Sequence, residues 1–349
     1  MPDRRVAIAM KLDVYAHIFP PAYFQRLQDI AGRDARLAAT LKRWLSVPVL
    51  YDLDARLAMM REFPGYRQVL TLSSPPIELL AAPDESPALA RLANDGMAAI
   101  VASHPHQFPA FVASLPMNNV DASLAEMERA IRKLGAKGIQ VFTNVNGRAL
   151  DEPELWPIFE RAVNTYDVPV WMHPARGAGF PDYLGEKKSR YEIWWTFGWP
   201  YETSAAMARM VFSGFFDKLP SLRLITHHMG AMVPFFDGRL GPGLDQFGSR
   251  TSDEDYEGLL KRMARRPIDY FRMFYADTAL SGSKAGIRCG FEFFGEDHVL
   301  FATDCPFDPE GGPMYIRTIP AAIDAIAEIS PTARRKIYAG NALRLLKME

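Results

Sequence analysis

Histidines and one aspartate stand at the ends of short apolar runs. His17 closes LDVYAH, His173 follows VPVWM, His227 and His228 follow LRLIT, and Asp304 follows VLFAT. Neutral imidazoles and a carboxylate are donors that divalent zinc or manganese accepts. Together His17, His173, His228 and Asp304 would supply two or three ligands and leave one group for proton transfer. A carboxylate directly after an apolar strand must be solvated, paired or metal-bound, because isolated burial costs too much. Taken singly, each reads equally as a hydrogen-bonded histidine or a strand-end cap; the common placement is what points to a site. Side chains alternate along a strand, so Asp13, Tyr15 and His17 are expected to share one face. By the same alternation His227 and His228 should point apart, leaving at most one of them to serve the site directly.

Other candidates carry less. His104 and His106 in SHPHQFP precede a strand rather than follow one, and read as surface or packing residues. Cys305 adjoins Asp304, and a neighbouring carboxylate raises a thiol's pKa, which argues against a nucleophile. Asp277, ending MFYAD, offers either a carboxylate or a cap. Trp194, Trp195, Phe197 and Trp199 form an aromatic cluster that either orders its own loop or walls a flat, unsaturated substrate. Arg61, Arg176 and Arg190 are candidates to anchor a second carboxylate.

These residues need elements to hold them. Apolar runs at 11–17, 68–72, 110–115, 137–141, 168–172, 222–226, 272–276 and 298–303 read as strands. Helical patterns separate several of them. In 123–134 Ser123 is expected as N-cap and Glu126 as its capping-box partner, with Leu124, Met127, Ile131 and Leu134 on one face. Gly135 should end that helix. A second pattern covers 154–165, and Ser330 with Pro331 opens a third. Eight strands interleaved with helices indicate an α/β fold, a (β/α)8 TIM barrel in particular, with an open doubly wound sheet as the alternative. Two long insertions follow strands 1 and 5: residues 18–67, with a helical pattern at 34–45, and residues 174–200. Both follow a strand's carboxyl end, the catalytic face of a barrel.

Composition bounds the rest. The 349 residues carry a net charge of -1, with no concentrated basic surface for nucleic acid. No apolar run approaches the length of a membrane helix. The two cysteines, Cys289 and Cys305, supply no disulfide framework, so a reducing, cytoplasmic setting is expected. Residues 1–349 are read as a single barrel domain.

Four stretches carry a resemblance: LDVYAHIFPPAYF (12–24), VPVWMHP (168–174), GWPYETSAAMARMVFSGFFDKLPSLRLITHHMGAMVPFFDGR (198–239) and EDHVLFATDCPF (296–307). In this order and spacing the chain resembles the amidohydrolase superfamily. The likeness is to its branch of 2-amino-3-carboxymuconate-6-semialdehyde, γ-resorcylate and 5-carboxyvanillate decarboxylases. The resemblance implies a barrel with one divalent metal at its mouth, zinc ahead of manganese, held by His17, His173 and Asp304. It implies His228 as the proton carrier, with Asp304 beside it, and a pocket including Tyr15, Trp194 and Trp195. The implied activity is metal-dependent, non-oxidative decarboxylation of a small unsaturated or aromatic carboxylate by a homo-oligomer. A hydrolase or hydratase using the same site is the alternative. The family's first-strand motif is usually His-x-His, and here it reads Tyr15-Ala16-His17. Tyr15 as a pocket donor, Tyr15 as a phenolate ligand, and a metal-free member with altered or lost chemistry are the three readings of that departure.

Overall fold

The computed structural model describes residues 10–34, 37–250 and 253–348. Its eight main strands are β1 (Lys11–Ile18), β2 (Tyr66–Leu72), β3 (Ala110–Phe111 and Ala113–Ser114, interrupted at Val112) and β4 (Ile139–Phe142). They continue as β5 (Val170–His173), β6 (Leu224–Thr226), β7 (Tyr275–Asp277) and β8 (Val299–Leu300). Each pairs in parallel with the next, through registers such as Val69 with Ala110, Ala113 with Ile139, and Val170 with Leu224. The ring closes where Ala16 bridges Cys305 and where Val14 N–H donates to Phe301 O at 3.0 Å. Helices cross between strands on the outside, so the fold is the (β/α)8 barrel the strand pattern indicated.

Alternation along the strands divides the core into two layers. Leu12, Val14, Val69, Val112, Trp171, Ile225 and Leu300 fill the barrel interior. Leu70, Val141, Met172, Leu224 and Phe301 face outward, into the layer that holds Met127, Met207 and Ile287 of the covering helices. Trp171 reaches from β5 to β1, its indole N–H donating to Val14 O at 3.0 Å, and plugs the barrel below the mouth.

Three expectations are corrected. The helix containing Ser123 begins earlier, at Val120, and runs to Arg132 with Asn119 as its cap. Asn119 accepts the Ala122 N–H at 3.0 Å. Ser123 is buried inside the helix and donates to Pro116 O, while Glu126 accepts from Asn94 and Arg129. Two side chains made for capping are spent on tertiary contacts, and an asparagine upstream takes their place. Secondly, the 18–67 interval carries helices Pro21–Ala31, Ala38–Leu45 and Leu53–Arg61; residues 35–36 of the pattern placed at 34–45 lie outside the described residues. Thirdly, the β1–β2 register shifts between Asp13 and Ala16. This bulge puts Asp13 on a different face from Tyr15 and His17, against the expected alternation. Ser330 does cap the helix that Pro331 opens, accepting the Ala333 N–H at 3.1 Å.

Candidate metal centre

Past the bulge, β1 delivers Tyr15 and His17 into the barrel mouth. The ring of His17 lies 5.2 Å from that of His173, at the end of β5, and 5.8 Å from that of His227, just beyond β6. One ring nitrogen from each of these buried histidines lies within 4.8 Å of the others, an arrangement that could hold a metal ion. Asp304, after β8, brings Oδ1 to 3.1 Å from His17 Nε2 and 3.4 Å from His227 Nε2.

Each imidazole is held from behind. His173 Nδ1 donates to Pro174 O at 2.7 Å, and His227 Nδ1 to Asp277 Oδ2 at 2.6 Å. His17 Nδ1 meets Thr71 Oγ1 at 3.2 Å. With the Nδ1 atoms occupied, the Nε2 atoms are left to face one another. Among the described residues His17 Nε2 is buried with no aligned hydrogen bond, despite its closeness to Asp304. Such outer hydrogen bonds are how metal-binding imidazoles are usually oriented.

Backbone geometry at two of these positions is unusual. Past Thr226 the chain makes a left-handed turn, with φ of 58° at His228, 56° at Met229, 69° at Gly230 and 56° at Ala231. Asp304 also has positive φ, 62°. Non-glycine residues hold this conformation only where packing enforces it. Met229 lies against helix Lys284–Phe294, in the space a Cβ on Gly290 would occupy, and a Cβ on Gly230 would meet Phe294. The turn overturns the expectation that His227 and His228 point apart. Their ring centroids are 3.8 Å apart, and His228 Nε2 reaches to 3.7 Å from Asp304 Oδ2. His228 and Asp304 keep about a fifth of their side-chain surface, 21% and 20%, whereas His227 is fully buried.

Electrostatics differentiate the ring. Burial, then the neighbouring histidines, hold His173 well below the usual histidine range, and burial likewise lowers His17 and His228. Burial opposes charge on His227 as well, but Asp277 and Asp304 prevail and lift it to about 9. Burial would raise Asp304, yet His17, His227 and His228 hold it well below the carboxylate range. Burial pushes the Tyr15 phenol well above its ordinary value. Among the described residues its hydroxyl has no hydrogen-bond partner, and its ring stacks on His227 at 3.9 Å.

His17, His173, His228 and Asp304 thus come together as their strand-end positions suggested, and Tyr15 joins them. Alternation left at most one of His227 and His228 for the site, and it fails here because the left-handed turn at 228–231 replaces strand geometry. Asp277 is revealed as the group behind His227. In the loop after β5, Trp199 carries the contacts: its ring is 5.6 Å from that of His173 and 6.3 Å, stacked, from that of His228. Trp194 packs edge-on against Trp199 at 5.5 Å. Trp195 is 43% exposed and its indole N–H is bonded to Glu192. Arg176 pairs with Glu202 at 2.8 Å. Burial pushes the Cys305 thiol up to about 12, in line with an inert residue.

The amidohydrolase family model, Amidohydro_2, matches residues 14–348. The 2-amino-3-carboxymuconate-6-semialdehyde decarboxylase of Dictyostelium discoideum is 31% identical over 299 residues, covering 86% of this chain and 77% of the relative. The crystal structure of 5-carboxyvanillate decarboxylase from Sphingomonas paucimobilis is similar with a TM-score of 0.80 and 26% identity, over 97% of this chain and 99% of that one. The dihydroxybenzoic acid decarboxylase of Polaromonas sp. JS666, solved with bound manganese and 2-nitroresorcinol, follows at a TM-score of 0.76 and 27% identity, over 98% of both chains. With the family match running from β1 to beyond the last barrel strand and the solved decarboxylases similar along nearly the whole length, this chain belongs to the amidohydrolase family.

Proposed function

We propose that this chain is a metal-dependent, non-oxidative decarboxylase of a small aromatic or unsaturated carboxylic acid. One observation carries the reading: buried His17 and His173 and the partly exposed Asp304 converge at the barrel mouth with His228 beside them, in a chain whose relatives are decarboxylases. The donor set fits a divalent cation, because His17 Nε2 is an unsatisfied buried nitrogen and Asp304 is an anion among imidazoles. His17, His173 and Asp304 would hold the ion. Nitrogen and oxygen donors suit zinc and manganese alike, and the manganese in the Polaromonas relative leaves no ground for placing zinc first.

A divalent metal held there would supply a Lewis acid that holds the substrate's oxygens and offsets developing negative charge. His228 faces the mouth and carries a proton to the carbon that bears the carboxylate. The bond from that carbon to the carboxylate then breaks, carbon dioxide leaves, and the freed electron pair restores conjugation. Trp199, backed by Trp194, gives a flat substrate an apolar wall and keeps water from the reacting carbon. Tyr15 lines the floor of the same mouth.

Two expectations from the sequence draw support from the structure. Tyr183, Leu184, Tyr191 and Phe197 are exposed large apolar residues of one loop, which suits a homo-oligomer. Cys289 and Cys305 are both free, which suits the cytoplasm. Among the described residues no helix is long and apolar enough to cross a membrane.

The test is product analysis with metal-loaded protein and a panel of hydroxybenzoates and unsaturated carboxylates in 18O-labelled water. Carbon dioxide release with an unlabelled organic product is expected. Labelled oxygen retained in the organic product would replace decarboxylation by hydrolysis or hydration. His228→Asn should lower turnover by about 10²- to 10⁴-fold, the usual share of a general acid.

A further inference from the structure

Four donor atoms, not three, converge at the mouth. His227 is buried, its Nδ1 is fixed by Asp277, and its Nε2 lies 3.4 Å from Asp304 Oδ1. Asp277 is itself immobilised: its Oδ1 accepts the backbone N–H groups of His228 at 3.1 Å and Ala279 at 3.0 Å. Neighbouring ligands of a tetrahedral ion with bonds of ~2.0–2.1 Å are separated by roughly 3.3 Å. The spacings of 3.1 Å and 3.4 Å from Asp304 Oδ1 to the two imidazole nitrogens match that figure.

We propose that His227 is a metal ligand, completing a site of three histidines and Asp304, and that Tyr15 lies outside the coordination sphere as the ring on which His227 stacks. This rests on the metal-dependent reading above. Adjacent residues then divide the labour. His227, fully buried and clamped by a carboxylate, binds the ion, while His228, one-fifth exposed, remains free for the substrate. Such a carboxylate–histidine–metal arrangement raises the basicity of the ligand and fixes its tautomer. Ligation displaces the Nε2 proton of His227, and three neutral imidazoles with one carboxylate then leave a divalent ion with a net charge of about +1. That surplus attracts a carboxylate substrate.

The test uses full-length protein stripped by a chelator and reloaded with one equivalent of Cu(II), with pulsed electron paramagnetic resonance to count coordinated imidazoles. Three are expected in the wild type, and two would overturn the proposal without any variant. Elemental mass spectrometry after gel filtration should find about one equivalent of manganese or zinc in wild type and in Tyr15→Phe. His227→Asn should bind roughly 100-fold more weakly, with an unchanged far-ultraviolet dichroism spectrum. Loss of metal from Tyr15→Phe with retention in His227→Asn would exchange the roles and overturn the proposal. A wild type that takes up no metal after loading would overturn the metal-dependent reading as well, which separates the two failures.

Discussion

Strand β1 feeds two buried polar clusters on opposite sides of its bulge, and they differ in one respect. Below the bulge, Asp13 accepts from Tyr66 Oη, Thr303 Oγ1, the Tyr15 N–H and the Thr303 N–H. Tyr66 Oη also accepts from Gln68 at 2.9 Å, whose carbonyl accepts from Arg56 at 2.9 Å; Arg56, fully buried, also donates to Val49 O and His17 O. Every polar side chain named there has a partner. Above the bulge, the Nδ1 atoms of His17, His173 and His227 are satisfied, but His17 Nε2 and the Tyr15 hydroxyl have none. Polar groups that close on one another specify a structure. A cluster left open toward one point is a place for something else to bind.

The contrast can be broken most decisively with a crossed pair of variants. His17→Ala should abolish tight metal binding and reduce turnover about a thousandfold or more, several kcal/mol of transition-state stabilisation, while the melting point of stripped protein changes little. Arg56→Met should do the reverse. Orphaning the acceptors of Gln68, Val49 and His17 should remove about 3 kcal/mol of stability by denaturant unfolding, with one equivalent of metal still bound. Metal loss from Arg56→Met at undiminished stability would mean the clusters are one unit.

A pH series sharpens the closed side. Burial lifts Asp13 from 3.8 to about 6 despite its four hydrogen bonds. The folded protein therefore binds the extra proton between those values. The contribution of Asp13 to stability is fully present below pH 3.8 and is lost as pH rises through 6, about 2–3 kcal/mol at ~1.4 kcal/mol per pKa unit. The stability difference between stripped wild type and Asp13→Asn should fall with that slope, since Glu78 and Asp304 titrate alike in both, and a difference that rises with pH would mean that the fold lowers the pKa of Asp13. The smallest effect belongs to the aromatic wall. Trp199→Ala should raise KM about tenfold, and Trp195→Ala by less than about twofold, since only Trp199 stacks at the site.

What could be read from the sequence follows the same divide. Apolar runs and the polar residues ending them mark strands and their mouths, so the barrel and the gathering of His17, His173, His228 and Asp304 were legible. Departures from strand geometry were not. One inserted residue in β1 separates Asp13 from Tyr15, and a left-handed turn swings His228 next to His227; neither leaves a compositional trace. Trp195 and Trp199 look alike as letters, and only the loop's path separates an exposed indole from one at the site. Asn119 displaced Ser123 as cap because tertiary contacts had claimed the serine.

The left-handed turn at 228–231 makes the outer helix a remote control on the chemistry. Three of its four residues are not glycine, each holding about 1–2 kcal/mol of backbone strain that relaxes if the packing loosens. What restrains them is the close fit of Met229 over Gly290 and of Gly230 under Phe294. Substitutions at 290 or 294 change no group that meets substrate, yet they would release the spring that aims His228. A laboratory lineage selected for a new substrate should therefore accumulate changes on this helix as readily as in the pocket.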